Sequence, residues 1–97
     1  MELRQIEHFI AVAGEMSFTR AAERAHVVQS ALSTSIAKLE RELGVELFDR
    51  SRQQISLTAA GEAFEVRAHE VLHAARAAAE SAAQFRGSLM VQSNSAL

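Results

Sequence analysis

Residues 17–44 read SFTRAAERAHVVQSALSTSIAKLERELG. The hydroxyl of Ser17 can accept from the free amides at a helix start, so a short helix is predicted from Phe18 to about Ala25. Its Ala21, Ala22 and Ala25 are small and let a second helix cross closely. After a turn at His26–Val28, a longer helix is predicted to begin near Gln29. Leu32, Ile36, Leu39 and Leu43 recur at spacings of four, three and four and form one apolar stripe. The opposite face carries Ser30, Thr34, Ala37, Lys38 and Arg41, with Ser33 on its flank. Gly44 suits the left-handed position that ends such a helix.

Outward from this pair, the pattern stays helical on one side and turns to strands on the other. Upstream, Leu3, Ile6, Phe9, Ile10 and Ala13 predict a first helix from about Leu3 to Gly14. Downstream, Val45–Phe48 and Ile55–Leu57 are short β-type runs. The polar segment Asp49–Gln54 between them reads as a hairpin tip. Thr58 is placed to cap a long last helix, about Ala59 to Arg86. From Gly87 to Leu97 a strand-like Leu89-Met90-Val91 gives way to polar sequence expected to be loosely ordered.

The predicted fold is mainly α: a winged helix–turn–helix of three helices and a two-stranded wing, followed by a long linker and dimerisation helix. The expected division is 1–58 for the winged domain, with the helix–turn–helix at about 18–37, then 59–86 for the linker helix and 87–97 for a tail.

A helix, a short turn and a second helix with a polar outer face is the pattern of a major-groove reader. The inner stripe anchors the second helix, and short polar side chains on its outer face approach base edges. Gln29, at the leading end, can pair with adenine, while Ser and Thr can bond a base or a phosphate. Arg50 and Arg52 at the hairpin tip can reach the backbone or the adjacent minor groove.

The stretches MELRQIEHFIAVA, SFTRAAERAHVVQSALSTSIAKLERELGVELFDR and ISLTAAG, spanning Met1–Gly61, resemble the N-terminal domain of the LysR-type transcriptional regulators without a gap in spacing. The resemblance implies a bacterial repressor or activator that binds interrupted palindromes near promoters as a dimer or tetramer. It implies base reading by Gln29, contacts from Ser30 and Ser33, and a contact from Arg50. Val28 departs from the family's usual Ser or Thr cap, Ala25 from a Leu, Thr34 from a common Arg and Gln53 from a wing Arg. The last two changes remove positive charge, and Arg52 is expected to take over the wing's minor-groove role. The full DNA-contacting set expected is Gln29, Ser30, Ser33, Thr34, Lys38, Arg50 and Arg52. The family's effector-binding domain would begin where this sequence ends, so no small-molecule pocket is expected here.

The composition bounds the alternatives. A chain of 97 residues is one domain by length, and the absence of Pro with only four Gly favours helices. No Cys is present, which removes disulfides and thiolate metal sites and fits a reducing cytoplasm. The polar start lacks a secretory signal, and no run approaches the roughly 18 apolar residues a bilayer span needs. The net charge of −2 runs against the usual basic character of DNA-binding domains. The charge is uneven: Ser17–Lys38 holds Arg20, Arg24 and Lys38 against Glu23 alone.

In the last helix, Phe64, Ala68, Val71, Ala75, Ala78, Ala82 and Phe85 alternate at four and three, an a/d seam through three heptads. Such a seam predicts a homodimer of closely packed, small-cored helices. The same helix contains His69-Glu70-Val71-Leu72-His73, which spells the H-E-x-x-H zinc motif. Both histidines fall opposite the seam, and Arg76 and Ala79 stand where the motif would continue. Neither a metal nor another cofactor, nor any catalytic residue, is therefore expected. The expected partners are double-stranded DNA and a second copy of the chain. Two other readings stand beside this one. A helical protein-interaction module fits the negative charge, and a small metallohydrolase rests on the zinc motif alone.

Overall fold

The structure is a computed structural model that describes residues 1–86. The tail expected at 87–97 lies outside the described residues. In chain order the elements are α1 (Leu3–Glu15), α2 (Phe18–Ala25), α3 (Gln29–Leu43), β1 (Phe48–Asp49), β2 (Ser56–Leu57) and α4 (Ala59–Ala83). The strands pair antiparallel, Phe48 opposite Leu57 and Asp49 opposite Ser56, and form the wing.

Local chemistry sets the boundaries. Ser17 Oγ accepts from the Arg20 amide at 3.2 Å and starts α2. Thr58 Oγ1 accepts from the Gly61 amide at 2.9 Å and starts α4. The same hydroxyl donates to the Glu46 carbonyl at 2.6 Å, which fastens the helix start to the wing. Gly44 ends α3 at φ 75°, as its sequence position predicts.

Four expectations are corrected. Gly14 does not end α1; it lies inside the helix, and Met16 takes the left-handed turn at φ 48° with its amide bonded to the Val12 carbonyl. The Arg24 guanidinium, the movable end of a half-exposed side chain, lies beside Gly14 without requiring a glycine there. The first strand begins at Phe48 rather than Val45, because Glu40 on α3 takes the Leu47 and Phe48 amides at 2.7 and 3.3 Å. The last helix ends at Ala83 rather than Arg86. The stripe of α3 is buried at Leu32, Ile36 and Leu39, but Leu43 in the last turn remains 38% exposed.

The core centres on α1. Phe9 and Val12 are fully buried, as are Leu32, Ile36 and Leu39 from α3 and Ala21 from α2. Phe9 meets Phe48 of the wing at a 5.3 Å centroid separation and Phe64 of α4 edge-on at 4.9 Å. Ala68 and Leu72 continue this contact along α4. The expected dimer seam is therefore divided. Ala68 is 2% exposed within its own chain, so it has no surface left for a partner, and Phe64 is partly buried on Phe9. Val71, Ala78, Ala82 and Phe85 are exposed, and Ala75 is half-buried.

Gly61 is buried where α4 passes the wing, and a Cβ there would collide with the Leu47 carbonyl. That carbonyl already accepts the Thr58 amide at 3.0 Å and cannot move freely. Gly61→Ala is expected to destabilise the domain by about 1–3 kcal/mol, as overpacking does. A lower urea midpoint at unchanged slope is the predicted reading; an unchanged midpoint would show that the wing yields.

Candidate nucleic-acid interface

The polar face of α3 is built on its buried stripe. With Leu32, Ile36 and Leu39 held in the core, Ser30, Thr34, Lys38 and Arg41 are left exposed on the far side. Ser33 and Ala37 are half-buried at its edge. Val28 precedes the helix in an extended conformation and offers no side-chain cap. Gln29 is thus the first helical side chain, and it is exposed. Its Oε1 accepts from the Thr19 hydroxyl at 3.1 Å. The leading end of α3 is tied to the leading end of α2.

The wing lies beside the same face. Glu40 joins α3 to the residues that open β1. Arg50 follows β1, and its guanidinium sits 4.0 Å over the ring centre of Phe18. A cation at this distance is held by the ring's negative face. Phe18 in turn packs edge-on against Phe48 at 6.1 Å. Next to Arg50, Asp49 accepts from both the amide and the hydroxyl of Ser51, at 2.9 and 2.6 Å. These two bonds, ahead of the charge of Arg52, hold the Asp49 carboxyl below its usual range. Arg52 lies further along the wing and is exposed.

The structure thus places Gln29, Ser30, Ser33, Thr34 and Lys38 along one helix and Arg50 on the wing beside it. The basic strip expected around α2 is weaker than its sequence suggests. Glu15, from outside the 17–38 stretch, pairs with Arg20 at 3.7 Å and with Arg24 at 3.4 Å. Arg20 also donates to the Glu15 carbonyl at 2.9 Å. Sequence reasoning missed Phe18, Thr19 and Glu40. Phe18 reads as a plain core position, Thr19 as a helix-surface polar residue and Glu40 as one acid among several, and nothing local signals their partners.

His69 and His73 are both exposed on α4. Among the described residues, no group of three or more His, Cys, Asp or Glu side chains is placed to hold a metal ion. No helix among them is long and apolar enough to cross a membrane.

These elements make a winged helix–turn–helix with an anchored second helix and a wing that carries arginines. The pattern of the lysR family of bacterial regulatory helix–turn–helix proteins matches residues 3–62. The chain belongs to that family. It is 46% identical over 90 residues to the HTH-type transcriptional regulator ShiR of Corynebacterium glutamicum (strain R), covering 93% of this chain but 30% of that protein. Two solved structures are similar over most of both chains. The BenM DNA-binding domain in complex with catB site 1 DNA has a TM-score of 0.84 at 34% identity, covering 88% of this chain and 96% of that one. The CbnR DNA-binding domain–DNA complex has a TM-score of 0.78 at 44% identity, covering 87% and 98%.

One buried polar contact braces α3 from behind. His8 on α1 is 7% exposed, and its Nδ1 lies 2.7 Å from Ser35 Oγ. Burial, then the charge of Arg4, lowers the His8 pKa below its ordinary 6.5, with Glu7 opposing. A lowered histidine pKa means that the unfolded chain binds the proton first. Stability is therefore full above about pH 6.5 and falls as the pH drops toward the folded-state value. The melting temperature should decline as the pH falls below about 6.5. His8→Asn should flatten that decline, and an identical slope in the variant would assign it elsewhere.

Proposed function

We propose that this chain is the sequence-specific DNA-binding part of a bacterial transcriptional regulator, and that it reads an interrupted palindrome as a dimer. The carrying observation is the alignment of one polar helix face with an arginine-bearing wing, in a fold shared with two domains solved on DNA. Gln29 enters the major groove first and reads a base. Ser30, Ser33, Thr34 and Lys38 contact bases or phosphates along the helix. Arg50 and Arg52 bind the backbone or minor groove beside it. Such a domain works in the cytoplasm and performs no catalysis of its own.

Residues 1–58 supply the reading surface, and α4 both completes the core and offers the dimer seam. Val71, Ala78, Ala82 and Phe85 are exposed on one side of α4, with Val71 38% and Phe85 64% exposed. An apolar strip of this length is a liability unless a partner covers it. A second copy packed along it presents two recognition helices on one face of the duplex, which matches two half-sites in successive turns.

Selection of bound sequences from a random duplex pool should enrich an interrupted palindrome. On that site Gln29→Ala is expected to cost about 1–3 kcal/mol, and little on random DNA. Equal losses on both would remove Gln29 from base reading. No enriched palindrome would favour a protein-binding wing.

Ala78 is exposed, so a charge there is harmless to one chain and costly only at an interface. Ala78→Glu should therefore sediment as a monomer with unchanged helix content and lose palindrome binding. A dimer that persists would place the interface elsewhere.

A further inference from the structure

Thr19 is the second residue of α2 and is exposed. It neither caps its helix, which Ser17 does, nor joins the core. Its hydroxyl donates to Oε1 of Gln29 at 3.1 Å, across the turn of the helix–turn–helix. Both partners lie on the surface, where the bond ties two helix starts without adding to the core. It joins the one side chain that leads α3 to a fixed point on the neighbouring helix.

We infer that Thr19 is a positioning residue that sets which bases Gln29 accepts. The inference rests on Gln29 reading a base, as proposed above. A free glutamine side chain samples many rotamers and must lose that freedom when it binds. The Thr19 bond removes part of it in advance. It also assigns the two ends of the amide. A primary amide has an acceptor oxygen and a donor nitrogen. Here the oxygen is engaged by Thr19, and no hydrogen bond to Nε2 is present among the described residues. The free end is a donor. It matches base edges that present acceptors in the major groove: purine N7, guanine O6 and thymine O4. Cytosine presents only its N4 amino donor there, which can meet the second lone pair of Oε1 at most and leaves Nε2 without a partner. Oε1 keeps a second lone pair, so the two-bond pair with adenine remains available. Without the Thr19 hydroxyl the amide turns freely and presents its oxygen as often as its nitrogen.

The experiment is sequence selection from a random duplex pool with the full 97-residue chain and three variants: Gln29→Ala, Thr19→Val and Thr19→Ser. Valine keeps the shape of threonine and removes the hydroxyl; serine keeps the hydroxyl. Gln29→Ala should flatten one position in each half-site, a position where the wild type disfavours cytosine on the contacted strand. Thr19→Val should admit cytosine at that same position and leave the others intact. Discrimination there should fall by about 5-fold, the ratio that one hydrogen bond of about 1 kcal/mol gives. Thr19→Ser should restore the wild-type profile. If Thr19→Val keeps the wild-type profile while Gln29→Ala flattens it, Gln29 reads a base but Thr19 does not direct it. If Thr19→Val weakens every sequence alike, Thr19 touches the phosphate backbone and the inference fails. An unchanged profile for Gln29→Ala overturns both the inference and the reading beneath it.

Discussion

Everything that this fold presents to its surroundings depends on the burial of Phe9. The ring is fully excluded from water, and it is touched by Phe48 of the wing and by Phe64 of α4. Three parts with separate tasks meet on one side chain of the first helix. Aromatic pairs at these separations contribute about 0.5–1.5 kcal/mol beyond area burial. More important is their geometry. The same strand residue that packs on Phe9 also packs on Phe18, and Phe18 carries the guanidinium of Arg50. A continuous line of rings thus runs from the base of the domain to a wing arginine. Disturbing the core at Phe9 would misplace Arg50 without touching it.

The face of α3 is supported in a similar indirect way. Its apolar stripe sets which side faces outward, but three polar contacts set how the helix sits. His8 meets Ser35, the Gln5 amide meets Glu42 at 2.7 Å, and Glu40 binds the amides that open the wing. Two of these contacts join α3 to α1, and the third joins it to the start of the wing. A helix held at several points along its length loses the freedom to roll, and rolling by a few tens of degrees would exchange Ser30 and Thr34 for their neighbours. Precision of this kind is what a reading surface needs.

Much of this was legible in the sequence, because it depends on period and on caps. The runs of α2 and α3, the stop at Gly44 and the cap at Thr58 follow from residues within a turn of each other. What stayed hidden depends on residues distant in sequence. Gly14 resembles a helix end, yet the left-handed turn falls two residues later, at Met16. Leu43 continues the stripe in spacing, yet it stays 38% exposed. Ala68 belongs to a faultless heptad, but periodicity says only that a face is apolar, never which neighbour covers it. On α4 the answer changes along the helix: α1 takes Ala68 and Leu72, and the free strip begins beside them. Gln29 and Arg50 draw attention by type and position. The side chains they contact, Thr19 and Phe18, do not.

The net charge of −2 gains a structural meaning from the same contacts. Arg20 and Arg24 would be free phosphate ligands by sequence, but Glu15 engages both. Non-specific affinity for DNA scales with the number of phosphates neutralised, so pairing these cations internally lowers it. A domain whose α2 cations are paired in this way holds random duplex less tightly. Its specific complex must then draw on directed contacts from a small set of side chains, and the value of each depends on how well it is aimed. Weak background binding widens the ratio between operator and random DNA, which is the quantity a regulator needs among many competing sites. The acidic balance that first counts against DNA binding is, on this argument, consistent with a reader that gains its selectivity from positioned polar groups and from two copies acting together.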